Sequence, residues 1–254
     1  MNIKNKKSLG QNFIFDKNFL EKISNFIKTN SNNVLIEIGP GPGTLTKFLN
    51  KKKFKKLILI EKDIRLLENL NNNFCSNKID ILNEDALKFD FQINDLKNSI
   101  IVGNLPFNIS VDLLYLWTKL KKWPPNQVKM VLMFQKEVAN RIMADPNNKS
   151  YGKLSIVIQS RYRINKLLDV PSSVFTPSPK VDGTILEFTP HNDYRSIDIE
   201  KIDEVSKSAF SQRRKKIKNN MSKYIHILDM LSIDKNLRPE NLNVNDYCEI
   251  AKKI

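Results

Sequence analysis

The chain has 254 residues, of which 41% are hydrophobic, and its 42 Lys and Arg against 27 Asp and Glu give a net charge of +15. This length has room for one α/β domain and a small accessory unit, and no apolar run is long enough to span a membrane. The Lys-rich start lacks the apolar stretch of a secretory signal, and the two cysteines form no C-x-x-C pair, so we expect a cytoplasmic protein without a disulfide framework.

Short apolar runs alternate with helical patterns along most of the chain. This alternation predicts a doubly wound, mostly parallel sheet with helices on both faces. The predicted strands are Val34–Ile38, Leu57–Ile60, Ile79–Leu82, Ile100–Val102, Val128–Phe134, Ser155–Gln159 and Thr184–Phe188. The predicted helices are Lys17–Thr29, Leu45–Asn50, Ile64–Asn72, Ser110–Lys121 and Lys136–Met143.

The end of the chain follows a different pattern. A Pro-containing segment joins the last two predicted strands, which could therefore pair antiparallel at the end of the sheet. From Pro190 onward the pattern indicates short helices without strands. We therefore expect an α/β domain over residues 1–189 and a small helical domain over residues 190–254.

A glycine-rich loop follows the first predicted strand. An apolar run leads into Gly39, Gly41 and Gly43, and glycines permit a tight turn that a ligand can approach closely. Such a loop alone also fits a structural turn or the phosphate loop of a nicotinamide enzyme. The G-x-G-x-G spacing with Glu37 just ahead favours S-adenosylmethionine over the G-x-G-x-x-G of a dehydrogenase.

Polar residues follow three further strands. Glu61 ends the second strand, where an acid can accept hydrogen bonds from both ribose hydroxyls, and Asp85 follows the third, placed to accept from an adenine amino group. Asn104 follows the fourth. Each acid alone could be a solvated helix cap. Since the strand ends of a doubly wound sheet converge on one crevice, the three together predict a binding site.

The tetrapeptide Asn104–Phe107 indicates the substrate. The Asn104 side-chain oxygen and the Leu105 carbonyl, fixed by Pro106, can accept the two hydrogens of a purine amino group and so direct its lone pair towards a methyl donor. Phe107 can stack on the target base. The alternative is an ordinary strand-ending turn with Phe107 in the core.

Basic residues are clustered at Lys51–Lys56, at Arg161–Lys166 and at Lys207–Lys223, and the last window contains no acid. Solubility or a membrane surface could explain such clusters, but a polyanion such as RNA is the more natural partner. His191 and His226 lie outside the predicted catalytic domain, and no Asp and His cluster indicates a metal site.

Seven segments in order carry a resemblance to a known family: Leu9–Phe13, Glu37–Thr46, Asn104–Phe107, Gln135–Ala139, Tyr151–Leu154, Phe175–Asp182 and Ala209–Lys215. The chain resembles the ribosomal RNA adenine N6,N6-dimethyltransferase family over nearly its whole length. It departs from the family pattern at Phe107, where Tyr is usual, at Ile14 in place of Leu and at Gly183 in place of Ser. Phe107 keeps the stacking face of Tyr but loses its hydroxyl.

The resemblance implies roles for individual residues. It assigns the S-adenosylmethionine site to Gln11, Asn12, Ile14, Gly39, Gly41, Glu61, Asp85, Ala86 and Asn104. It assigns catalysis to Asn104, Leu105, Pro106 and Phe107. It assigns RNA contacts to Phe107, Phe175, Arg213, Arg214 and Lys215.

The expected reaction is dimethylation of two adjacent adenines in a hairpin loop near the 3′ end of small-subunit (16S) rRNA, during ribosome biogenesis. We expect a monomer that acts on rRNA in the small subunit or its precursor, away from membranes. The alternatives are the related enzyme that methylates large-subunit rRNA, a non-catalytic assembly or transcription factor on the same fold, and more remotely a nicotinamide oxidoreductase. The Phe175–Asp182 signature and Arg213–Lys215 favour the small-subunit enzyme, and the intact Asn104–Phe107 segment argues against a non-catalytic role.

Overall fold

The computed structural model describes residues 11–254. The first two residues of the Leu9–Phe13 motif and the Lys-rich start therefore lie outside the described residues. Cα proximity divides the chain into two compact units. Unit 1 comprises the chain up to Trp117 together with Pro125–Lys136 and Asn165–Thr189, and unit 2 comprises Thr118–Pro124, Glu137–Ile164 and Pro190–Ile254.

The strands are β1 (Phe13–Ile14), β2 (Val34–Ile38), β3 (Lys56–Glu61), β4 (Ile79–Asn83), β5 (Ser99–Gly103), β6 (Gln127–Gln135), β7 (Tyr162–Val170), β8 (Phe175–Thr176) and β9 (Gly183–Pro190). The helices of the first half are α1 (Lys17–Phe26), α2 (Thr46–Leu49), α3 (Ile64–Phe74), α4 (Ser110–Thr118) and α5 (Lys136–Ile142). Those of the second half are α6 (Lys153–Gln159), α7 (Ile199–Ala209), α8 (Ile217–Asn220), α9 (Ile225–Met230) and α10 (Val244–Lys252).

A seven-stranded sheet with the order β4-β3-β2-β5-β6-β9-β7 forms the framework, and its first five strands run parallel. Strand β9 pairs antiparallel with β6. Every residue of β2 is buried, as expected for a strand at the centre of a sheet covered on both faces. The predicted doubly wound, mostly parallel sheet is confirmed.

The prediction of a strand over Ser155–Gln159 was wrong, because this segment lies in helix α6. Leu154–Ile158 are all buried, so the sequence shows neither a helical nor a strand alternation. The helix start is marked instead by a capping hydrogen bond, in which the Gly152 amide donates to Ser155 Oγ at 3.1 Å.

On the side away from β6, strand β9 pairs with β7, a strand that the sequence analysis did not predict. It lies at the end of the sheet, and charged residues such as Arg163 and Lys166 interrupt its apolar pattern. Lysines and other charges are typical of edge strands, because they discourage further pairing.

The C-terminal part of unit 2 is helical from α7 to α10, as the sequence pattern indicates. The domain boundary at residue 190 stays a prediction. Across the residues that the structure describes, none of the helices has the length and apolar character needed to cross a bilayer.

Candidate functional site

A cleft opens within unit 1 at the carboxyl ends of the parallel strands. It encloses about 1170 Å³, including space open to solvent, and is formed by the N-terminal segment and the loops after β2, β3, β4 and β5. The structure brings together in its wall most of the predicted site residues: Gln11, Asn12, Ile14, Gly39, Glu61, Asp85, Ala86, Asn104, Leu105, Pro106 and Phe107. Gly41 and Phe175 each pack against a residue that lines the cleft, Gly41 against Phe13 and Phe175 against Phe107.

The glycine loop needs its glycines for backbone and packing reasons. Gly39 and Gly41 have φ of 64° and 59°, in the left-handed region that side chains disfavour. A Cβ on Gly41 would also lie 2.5 Å from Cε1 of Phe13. Gly41 therefore lets the loop pack against an aromatic ring that lines the cleft.

Glu61 is held by the backbone at the end of β3. The Gly41 amide donates to its Oε2 at 3.0 Å, and the Asp63 amide donates to its Oε1 at 2.8 Å. Burial raises the pKa of Glu61, and these two hydrogen bonds oppose the rise because they favour the carboxylate. Each carboxylate oxygen retains a second lone pair, so Glu61 can accept hydrogen bonds from the two hydroxyls of a ribose.

Asp85 is more exposed than Glu61 and is ion-paired. Lys62 Nζ donates to Asp85 Oδ2 at 2.8 Å, and the Leu87 amide donates to Asp85 Oδ1 at 3.1 Å. The Lys62 hydrogen bond lowers the pKa of Asp85, so the group is a carboxylate at neutral pH. The cleft thus contains a stable acceptor that can bind an exocyclic amino group.

Glu37 lines the cleft as well, although sequence reasoning gave it no role beyond its place ahead of the glycines. Thr46 Oγ1 donates to Glu37 Oε2 at 2.7 Å. Burial raises the pKa of Glu37 to about 8, so this side chain is largely protonated at neutral pH. The signal available in the sequence was a carboxylate inside an apolar central strand, where an ionised group is costly.

Asp63 is a second contributor that the sequence reasoning missed. Its Oδ2 accepts a hydrogen bond from Gln11 Nε2 at 2.9 Å, and its carboxylate pairs with Arg65. The hydrogen bond from Arg65 holds the pKa of Asp63 well below its usual range. Asp63 also caps helix α3, so an Asp just before a helical pattern was the available signal. Through Gln11 it ties the N-terminal segment to the β3 loop.

Asn104 follows β5 and faces the same cleft. Its Nδ2 donates to the backbone carbonyl of Asn12 at 2.9 Å. Because the amide nitrogen donates to the N-terminal segment, the side-chain oxygen is the atom that can accept a hydrogen from a substrate amino group. Pro106 abuts the glycine loop, since a Cβ built on Gly39 would lie 3.9 Å from Pro106 Cδ.

Two aromatic rings meet beside Asn104. The half-buried Phe107 and the buried Phe175 pack edge to face with ring centroids 6.3 Å apart. Phe175 is fixed because β8, which begins at Phe175, pairs with β1 and sets Phe175 opposite Ile14. Phe175 therefore supports Phe107, and the exposed part of Phe107 is available for stacking.

The predicted RNA-contacting segment Arg213–Lys215 lies in unit 2. Its three residues differ in exposure and in hydrogen bonding. Arg213 Nε donates to Glu240 Oε2 at 2.8 Å, and its Nη2 donates to the Asn148 carbonyl at 3.1 Å. Arg214 and Lys215 are exposed. The geometry gives Arg213 a structural contact within unit 2, whereas Arg214 and Lys215 face solvent.

The cleft fits S-adenosylmethionine by the chemistry of its donors and acceptors. Glu61 can accept from ribose hydroxyls, Asp85 can accept from an adenine amino group, and apolar side chains such as Ile60 and Leu105 line the wall between polar groups. Within residues 11–254, no group of three or more His, Cys, Asp or Glu side chains could hold a metal ion.

Comparison with known proteins identifies the family. A family model described as ribosomal RNA adenine dimethylase matches residues 2–254. The chain is 40% identical over 262 residues to ribosomal RNA small subunit methyltransferase A of Pelagibacter ubique, covering 100% of this chain and 98% of that protein. It is 39% identical to the protein of the same name from Mycoplasma mobile, covering 95% of each chain.

Solved structures share the fold. A dimethyladenosine transferase from Plasmodium falciparum superposes with a TM-score of 0.82 at 25% identity, covering 95% of this chain and 96% of that one. The 23S rRNA methyltransferase ErmE superposes with a TM-score of 0.70 at 18% identity, covering 95% and 99%, and supports the fold alone. With a family model that spans almost every residue, the chain belongs to the ribosomal RNA adenine dimethylase family.

Proposed function

We propose that this protein transfers methyl groups from S-adenosylmethionine to N6 of two adjacent adenines in a hairpin loop near the 3′ end of 16S rRNA. As a member of its family the protein is an rRNA adenine dimethyltransferase. Its relatives at 34–40% identity are named for the small ribosomal subunit. The observation that carries the proposed chemistry is the orientation of Asn104 by its 2.9 Å hydrogen bond to Asn12.

S-adenosylmethionine, when bound, supplies an activated methyl group. Glu61 would hold the ribose through its two carboxylate oxygens, which accept hydrogen bonds from the amides of Gly41 and Asp63. Asp85 would accept from the adenine amino group of the donor, and Lys62 Nζ donates to its Oδ2 at 2.8 Å. The protein thus binds the donor largely through acceptors that are oriented in advance.

The target amino group is a weak nucleophile because its lone pair is delocalised into the purine ring. Asn104 Oδ1 and the Leu105 carbonyl accept its two hydrogens and direct the lone pair out of the ring plane, while Phe107 stacks on the ring. The chain uses oriented dipoles for this step and needs no strong base. Once the methyl group has moved, the nitrogen proton is acidic and leaves to water.

A second transfer places a geometric demand on the same site. The monomethylated amine has one hydrogen left, so Asn104 and Leu105 cannot both bind it. The base must rotate, or one acceptor must be given up. Room beside Phe107 for this rearrangement separates a dimethylating enzyme from a monomethylating one.

The RNA is held partly by the predicted helical domain over residues 190–254, through Arg214 and Lys215. Both are exposed and lie in a window without acids, which supports contact with phosphates. We expect the protein to act as a monomer in the cytoplasm, on the small subunit or its precursor.

Purified protein, labelled S-adenosylmethionine and small-subunit particles that lack the modification test this proposal directly. We expect N6,N6-dimethyladenosine at two adjacent positions. At saturating S-adenosylmethionine, Asn104→Ala should slow single-turnover transfer by roughly a hundredfold. Full dimethylation by Asn104→Ala at the wild-type rate would contradict the mechanism. A purely monomethylated product from the wild type would contradict the assigned reaction.

A further inference from the structure

The Lys51–Lys56 cluster lies in unit 1 on the side of the sheet opposite the cleft. The cleft is at the carboxyl ends of the parallel strands, whereas this cluster immediately precedes β3 and so lies at the amino ends. Backbone hydrogen bonds confirm the location, because the Lys55 amide donates to the Asn33 carbonyl at 2.8 Å just before β2. Strand β3 has six residues, which separates the two edges by about 17 Å.

Five lysines meet at this edge and form what we call the amino-edge patch: Lys28, Lys51, Lys52, Lys53 and Lys55. Within residues 11–254, none of the five pairs with a carboxylate, whereas the next lysine, Lys56, pairs with Asp80 at 2.5 Å. Uncompensated positive charge is therefore concentrated at this edge.

Positive charges lie close to one another in the patch, and Lys51 Nζ lies 5.6 Å from the centroid of the Phe48 ring. Burial lowers the pKa of Lys52, and the neighbouring charge of Lys28 lowers it further. Like charges held together without a counter-charge repel each other, and a bound polyanion would relieve that repulsion.

The backbone that carries the patch is held in place. Thr29 Oγ1 donates to the Lys53 carbonyl at 2.6 Å, and Asn33 Nδ2 donates to the Asn98 carbonyl at 3.0 Å. These contacts join the segment after α1, the patch and the turn before β5. The backbone that carries the lysines is therefore already ordered, which lowers the conformational entropy lost when they bind a partner.

We propose that the amino-edge patch binds the phosphate backbone of rRNA at a point away from the target adenines. This inference rests on the proposed function, which makes structured rRNA the polyanion available to the protein. The patch lies about 17 Å from the cleft end of the strands, so a short RNA loop held in the cleft would not reach it. A folded rRNA that extends from the cleft to the opposite end of the strands would contact the patch, whereas a hairpin seated only in the cleft would not.

The triple variant Lys51→Gln, Lys53→Gln and Lys55→Gln tests the proposal, with the corresponding three-Arg variant as a matched control that keeps the charge. Binding is measured against salt concentration for small-subunit particles, for protein-free small-subunit rRNA and for a short hairpin that carries the adenines. For the Gln variant, the slope of log affinity against log salt concentration should flatten by roughly 0.7 for each lost contact, both on the particles and on the protein-free rRNA. The hairpin slope, donor binding and the Arg variant should match the wild type.

Three outcomes overturn the inference. An unchanged slope on both large substrates would mean that the patch is a solvated surface. An equal change on the hairpin would mean a general electrostatic effect. A change confined to protein-containing particles would identify an acidic protein as the partner. Failure of the proposed function is distinguishable, because the wild type would then bind the particles without methylating them.

Discussion

At the scale of single residues, Phe107 retains an aromatic stacking face but lacks the hydroxyl of the tyrosine that the family pattern usually has at this position. Phe175 supports the ring from behind at a centroid distance of 6.3 Å, so the ring orientation does not depend on a hydroxyl. Phe107→Tyr should be nearly neutral, because it keeps the stacking face. Phe107→Ala should lose about 1–3 kcal/mol of base stacking. RNA-binding and single-turnover assays check both values, and a Tyr variant as impaired as the Ala variant would remove stacking as the explanation.

Asp85 allows a second test at this scale. Asp85→Ala should weaken S-adenosylmethionine binding by about 1.5–3 kcal/mol, because it removes an ionised acceptor. Lys62→Ala is the matched control, since it breaks the 2.8 Å ion pair but leaves the carboxylate. An exposed ion pair contributes only about 0–1 kcal/mol, so this control should bind the donor nearly normally. Calorimetry that finds unchanged affinity in a folded Asp85→Ala variant would exclude the residue from the site.

At the scale of elements, the buried Glu37 of β2 makes stability depend on pH. Its pKa rises from an ordinary 4.5 to about 8, so between these values the native protein retains a proton that the unfolded chain releases. The free energy of unfolding should therefore fall as pH increases from about 4.5 to about 8, by an amount on the order of a few kcal/mol. The raised pKa of Glu61 acts in the same direction.

Glu37→Gln should remove most of this dependence, because Gln resembles the protonated acid and still accepts from Thr46. Urea unfolding of both proteins at pH 5, 6, 7 and 8 measures the effect. A variant whose unfolding midpoint falls with pH as steeply as that of the wild type would show that Glu37 is not the group responsible.

The individual strands and helices differ in how well the sequence predicts them. Strands β2 to β6 and the cleft at their ends were predictable, because apolar runs bounded by polar residues at strand ends carry both signals. Helix α6 was not predictable, because Leu154–Ile158 are all buried and the segment shows no alternation of apolar and polar residues. The link from Gln11 to Asp63 was not either, because a contact between residues 52 apart in sequence leaves no local pattern.

At the scale of the whole molecule, RNA binding depends on which basic residues face solvent. Arg213 is engaged with Glu240 and Asn148, so Arg213→Ala should lower the free energy of unfolding. Replacing the exposed Arg214 and Lys215 with Ala should leave stability unchanged and flatten the salt dependence of RNA binding by roughly 0.7 per contact. Thermal unfolding and binding titrations separate these effects, and an unchanged salt slope in the double variant would make the segment a solvated surface.

Mass spectrometry of rRNA from cells with and without this protein tests the central claim most directly. Cells that contain it should carry N6,N6-dimethyladenosine at two adjacent positions near the 3′ end of 16S rRNA, and cells without it should carry unmodified adenines there. Restoring the wild-type chain should restore both modifications, whereas restoring the Asn104→Ala chain should not. Identical modification in cells with and without the protein would contradict the account, as would a loss confined to large-subunit rRNA.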